Sequence, residues 1–279
     1  VLRFGNPVKG QAGAPMVIAD PDFDLRTPAG AATRPLDDSP PRLSRDLDRG
    51  DLHFKRLPGT RIEGERIAEM LRVKPLLESV ALESRVKSCR SPRILHLATH
   101  GFFLSDQQSG SPQGARDLGA AGFGFSFNRL SALGAESPLL RSGLALAGAN
   151  TWLERGDLPG EAEDALLNAE DVSGMDLLAT ELVTLSACET GLGEIKTGEG
   201  IFGLRRAFVL AGARTLVMSL WKVPDQQTQM LMTDFYRRML EGQPRADALR
   251  DAQLALKAQN PDPLYWGAFI CQGDPGPLY

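Results

Sequence analysis

Residues 181–225, ELVTLSACETGLGEIKTGEGIFGLRRAFVLAGARTLVMSLWKVPD, restrict the fold of this chain more than any other stretch. Leu182, Val183 and Leu185 mark a buried strand, and a glycine-rich loop follows. The spacing then predicts a helix over about 200–212 and a second buried strand over 215–221. This β-loop-α-β unit places Cys188 at the carboxyl end of its first strand. In open α/β sheets ligands and chemistry gather outside that edge, where loops diverge and helix amino-termini point back at the opening.

A second strand supplies a matching residue. Residues 93–103, RILHLATHGFF, form an apolar run that ends in His100-Gly101. His100 and Cys188 therefore finish two core strands, and parallel strands of one sheet end on one edge. Other loop chemistries fail on single residues. A Walker phosphate loop needs a second glycine where Ile195 stands, and a dinucleotide fingerprint from Gly191 needs glycine where Lys196 stands. A phosphatase loop of the C-x5-R kind needs arginine where Glu194 stands. The three cysteines, 89, 188 and 271, form no C-x-x-C pair, so neither a disulfide framework nor a zinc site is expected, and a reducing compartment is.

Taken together, HLATHG, LSACETGLGE, GEGIFGLRRAFVLAGARTLVMSLWKVPD and the closing YWGAF resemble the CHAT family of caspase-like cysteine peptidases, relatives of caspases and separase. The similarity runs from about Val17 to Gly273. It implies a caspase-like three-layer α/β/α sandwich with a mostly parallel central sheet. By the same resemblance Cys188 is the nucleophile, His100 the general base and acid, and the backbone N–H groups of Gly101 and Cys188 the oxyanion hole. It also puts Asp225 near the wall of a specificity pocket, within reach of which Asp20 or Asp22 at the end of the first strand could come; the competing reading is that Asp225 only caps the following helix. Ser186 departs from the aspartate that metacaspases carry there, which argues against their style of basic pocket.

In chain order, residues 1–15 are a lead-in and 16–279 one domain, with flexible insertions expected at about 26–51 and 104–141. The first starts at Arg26 and is rich in Pro, Ala, Asp and Arg; the second is rich in Gly, Ser and Gln, and resemblance to caspases suggests a cut at Arg116 or Arg129. Strands are expected at 16–23, 73–77, 93–103, 142–150, 182–188 and 215–221, with a last one in YWGAFICQG. Helices are expected near 60–71, before Val86, within 169–180, over 226–241 and over 244–259. Strand-helix alternation of this kind predicts right-handed parallel crossovers. The first residue is Val rather than Met, as in a processed or truncated piece.

The chemistry follows from the residue types. A thiol attacks a peptide carbonyl as thiolate, so it needs an imidazole to take its proton and return it to the leaving amine. Glycine at 101 leaves room for a substrate carbonyl beside the backbone. His96, four residues before His100 on the same strand face, reads as a histidine of the core or one hydrogen-bonded behind the site, and His53 as a loop residue. Net charge is −4 with basic residues scattered, and no apolar run reaches membrane-spanning length, so neither nucleic acid nor membrane is an expected partner. The expected partners are a protein or peptide substrate and an upstream repeat region or sensor; no cofactor or metal is expected. The mild acidity fits a cytoplasmic protein, and the resemblance implies a regulated peptidase of a bacterial defence or cell-death system. Two rivals use the same residues: a non-catalytic interaction module, and a thiol-dependent acyl transferase or amidase.

Overall fold

The computed structural model describes residues 11–27, 52–104, 138–192 and 199–279, and the side chains of these except 104, 138, 187–192 and 199–202. Most of both expected insertions, with Arg116 and Arg129, lies outside the described residues.

The chain alternates strands and helices as its hydrophobic periods require. Strand β1 (Met16–Pro21) is followed by α1 (Pro58–Leu71), β2 (Leu76–Glu78), α2 (Glu83–Lys87) and β3 (Ile94–Leu104). Then come β4 (Ser142–Ala145), α3 (Ala149–Leu153), β5 (Leu166–Asn168), α4 (Ala169–Ser173) and β6 (Leu182–Leu192). The last third holds α5 (Glu199–Ala211), β7 (Thr215–Ser219), α6 (Asp225–Leu240), α7 (Arg245–Gln259), α8 (Pro263–Trp266) and β8 (Phe269–Gly273). Prolines open α1 and α8, where a missing N–H costs nothing. In α6 an acidic first turn (Asp225) and a basic last turn (Arg237, Arg238) match the helix dipole.

The sheet order is β2-β1-β3-β6-β7-β8, parallel except for β8, which closes one edge antiparallel to β7. Alternation along the strands builds two cores. Leu95, Leu97, Val183, Leu185 and Leu216 pack with Leu204, Ala207 and Phe208 of α5 on one face. Val17, Ile94, Leu182 and Val217 pack with Ile67 of α1, Phe235 and Tyr236 of α6 and Leu249 of α7 on the other. This is the expected α/β/α sandwich.

Two expectations need correction, and one strand was not foreseen. The 142–150 segment is not one strand: β4 runs antiparallel to β3 and stops at Ala145, and Ala149 begins α3. Its partner β5, antiparallel to it, had no sequence signal beyond Leu166-Leu167. Tyr265 and Trp266 belong to α8, so the last strand starts at Phe269.

Candidate active site

His100 and Cys188 do not end their strands; β3 and β6 continue in register to Leu104 and Leu192. What ends near them is the rest of the sheet. Pairing of β1 with β3 stops at Ala19–Ala98, and pairing of β7 with β6 stops at Leu185–Met218. His100 and Cys188 are direct Cα partners across the β3–β6 ladder just beyond those stops. The carboxyl edge is thus defined by its neighbours' ends, and both residues stand on it. Gly101 is flanked by Leu144 of β4 on one side and Glu189 of β6 on the other.

Between the last residues of β1 and of β4 one side of β3 has no strand partner around His100, and the 52–56 segment covers it there. The imidazole is 4% exposed. Its Nε2–H donates to the Lys55 carbonyl at 2.6 Å, since a carbonyl can only accept. Nε2 must then carry the proton, which makes Nδ1 the basic nitrogen. Among the described residues Nδ1 is buried without a hydrogen-bond partner. The ring lies against Phe23 and Phe54, at centroid distances of 5.4 and 5.7 Å. Burial lowers the pKa of His100 from the ordinary histidine value; the Lys55 carbonyl and the charge of Asp225 pull it back up, and Lys222 pushes it down. Burial therefore favours the neutral imidazole, with Nε2 tethered and Nδ1 without a partner among the described residues.

The pocket residues separate. Asp20, 2% exposed and with φ 44° at the end of β1, receives both arms of the Arg56 guanidinium at 2.8 Å and has Arg61 at 3.7 Å. Its charge is already neutralised. Asp22 accepts from the N–H of Asp24 through its carboxylate, an Asx turn that uses it locally. Asp225 is the first residue of α6, and the residue at the cap position is Pro224, with no side-chain cap bond. The cap position is thus Pro224's, and Asp225 stands one residue inside the helix, in its first turn. Half-buried, it packs so tightly on α1 that a Cβ on Gly59 would stand 2.5 Å from its own.

His96 is the core residue its position suggested. Its Nδ1 lies 3.1 Å from the Tyr236 hydroxyl, which also bonds Thr184 Oγ1 at 2.9 Å. Its Nε2 is 3.2 Å from Glu63 Oε1 without hydrogen-bond alignment. His53 is an exposed loop residue. Sequence reasoning missed Phe23, Phe54, the Lys55 carbonyl and Asn150. The one available hint was that the small-residue run LALAGAN ends on a polar side chain.

Among the described residues no group of three or more His, Cys, Asp or Glu side chains is arranged to hold a metal ion, and no helix is long and apolar enough to cross a membrane. Cys89 and Cys271 are free thiols.

Comparisons with known proteins converge. The family model described as CHAT domain matches residues 2–274. Tetratricopeptide repeat protein 28 from Homo sapiens is 26% identical over 226 residues, and its Mus musculus counterpart 27% over 227. Each match covers 78% of this chain but 8% of the relative, so the chain corresponds to a small part of those proteins. Among solved structures, the Arg specific cysteine proteinase gingipain R is similar in fold, with a TM-score of 0.50 at 8% identity, over 95% of this chain and 47% of that one.

Proposed function

The chain belongs to the CHAT domain family, and from that premise we propose that it is a cysteine endopeptidase with Cys188 as nucleophile and His100 as general base and acid. The observation that carries this reading is the setting of His100: buried, tethered at Nε2, its Nδ1 unpartnered among the described residues, and in direct register with Cys188. Nδ1 takes the thiol proton, the thiolate attacks the scissile carbonyl, and the imidazolium returns that proton to the departing amine. The backbone N–H groups of Gly101 and Cys188 are proposed to hold the oxyanion. Since both positions lie in the β3–β6 ladder, that role requires the ladder to part beyond residue 100 when substrate enters.

Asp225 is the proposed selector of a basic side chain before the cut. It is the one of the three aspartates with no ion pair or hydrogen bond among the described residues, and its charge reaches His100. Gingipain R, the neighbour in fold, is an Arg specific proteinase, which agrees with this. Asp20 is withdrawn from the role by Arg56. The repeat proteins among the relatives support an upstream repeat region as regulator. A reducing, cytoplasmic setting suits the free thiols, and a defence or cell-death role is proposed on family analogy alone.

The test is mass spectrometry of a diverse peptide mixture incubated with the chain, Cys188→Ala, His100→Ala and Asp225→Asn. Cuts after Arg or Lys should vanish in the first two variants and lose their basic preference in the third. Folded protein that cuts nothing, with or without a repeat region attached, would favour an interaction module. Hydrolysis of thioesters or small amides without peptide cleavage would favour the acyl transferase or amidase.

A further inference from the structure

The tether on His100 is a main-chain carbonyl, and a carbonyl on a loop is only as well placed as its loop. Residues 52–56 carry no strand or helix, so their position is set by side chains from elsewhere. Two anchors are visible. On one side Arg56, half exposed, pairs with Asp20 and with Glu78 at 2.7 Å. On the other, Asn150 of α3, 1% exposed, grips Phe54 at both backbone groups. The Phe54 N–H donates to Asn150 Oδ1 at 2.8 Å, and Asn150 Nδ2 donates to the Phe54 carbonyl at 3.0 Å. A third bond, from Nδ2 to Asp24 Oδ1 at 2.9 Å, fixes which way the amide faces. The Asn150 main-chain N–H donates to the Phe23 carbonyl at 2.9 Å. Asn150 thereby holds the segment that tethers His100 and both aromatic residues that enclose it. Of the two anchors Asn150 acts more directly on Lys55: Arg56 is held to the buried Asp20 through its long side chain, whereas Asn150 bonds the main chain of the adjacent Phe54, and a buried amide bond has no water to replace it.

We propose that Asn150 is a positioning residue for His100, acting through the Lys55 carbonyl to keep the imidazole in its Nε2–H form with Nδ1 turned to the reaction. Asn150 touches neither imidazole nor substrate. The proposal rests on the peptidase reading for its consequence in catalysis but not for its structural content. With its grip lost, the Lys55 carbonyl and the two rings loosen together; Nε2–H loses its partner and the protonated nitrogen is no longer selected. The charges that act on His100 from neighbouring elements, Asp225 of α6 and Lys222 before it, stay in place.

The measurement is nitrogen-15 NMR of the imidazoles in the full chain, which has three histidines, with His100→Gln to assign the signal. The parent protein should show His100 as the Nε2–H tautomer. In Asn150→Ala it should become a tautomer mixture, and kcat for a cleaved peptide should fall by about 100-fold, the effect of a small misplacement of a reacting group, with KM little changed. An unchanged His100 tautomer in folded Asn150→Ala overturns the proposal, even if kcat falls. Should that variant not fold, the isosteric Asn150→Asp keeps the acceptor for Phe54 N–H and loses both donors; an unchanged tautomer there overturns it equally. A shifted tautomer supports the proposal whether or not the parent cuts peptides, and peptide cleavage by the parent decides the peptidase reading separately.

Discussion

The packing of α1 on β1 gives a prediction whose size follows from one distance. Gly64 sits in the interior of α1, and a Cβ added there would stand 2.4 Å from Cβ of Ala19 in β1. Neither methyl can rotate away, because each is fixed directly to a backbone. Gly64→Ala should gain about 1 kcal/mol from helix propensity. Against that stands overpacking, typically about 1–3 kcal/mol, and contact between two backbone-borne atoms belongs at the upper end. The net expectation is a loss of about 1–2 kcal/mol. With unfolding entropy near 0.6 kcal/mol per degree for a chain of this length, Tm should drop by about 2–3 °C. Calorimetry is the assay, and Ala19→Gly provides the control: in the double variant the methyl has only changed sides, so Tm should return to within about 2 °C of the parent. If Gly64→Ala were as stable as the parent, or the double variant no better than the single, the close approach of α1 to β1 would not be what requires glycine. The site should register the same shift, since α1 begins at the Gly59–Asp225 contact and Thr60 Oγ1 accepts from the Asp20 N–H.

Three further outcomes are expected. Because Asp225 raises the pKa of His100, Asp225→Asn should move the acid limb of kcat/KM to lower pH, on the same side of the ordinary histidine value as in the parent, and an unmoved or raised limb would exclude the coupling. Glu83, 1% exposed, is pushed well above the usual carboxylate range by burial and by Asp164 beside it, which is raised too, with Lys87 the nearby cation. The folded chain thus keeps a proton that the unfolded chain releases, so the contribution of this pair to stability is full below about pH 4.5 and is lost as pH rises toward about 9, at up to about 1.4 kcal/mol per unit. Glu83→Gln should flatten that decline in urea unfolding, leaving the part that Asp164 carries, and parallel pH curves for the two proteins would sink the argument. Tyr236→Phe leaves Thr184 Oγ1 and His96 Nδ1 without the phenol in a dry core and should cost about 1–3 kcal/mol, read as a lower denaturant midpoint at constant slope.

Much of this architecture was legible because apolar residues carry it. The β6-α5-β7 unit, the β3 run and the amphipathic α6 and α7 declare themselves by period, and one parallel sheet then aligns His100 with Cys188 across 88 positions. The antiparallel turn of β4 was not legible, because a four-residue strand of small residues reads alike in either direction. Nor was the tether: a Lys55 carbonyl has no letter of its own, since every residue has one. Asp20 looked available because Arg56, which cancels its charge, lies 36 positions away with no local signal. Asn150 stood in view, but its meaning is a contact with Phe54 across 96 positions.

The seam in β3 has a consequence for how such a domain can be lengthened. One flank of this strand belongs first to β1 and then, after a short gap, to β4, which returns in the opposite direction. The chain therefore leaves β3 and re-enters the sheet beside it, with Phe103 opposite Ser142. A connection whose ends are pinned side by side imposes no span on what lies between. Each doubling of its length adds only about 0.6 kcal/mol of closure entropy. This junction is thus a port, at which an evolving or engineered chain can exchange one connection for an entire recognition module and return to the same register, a few residues from His100.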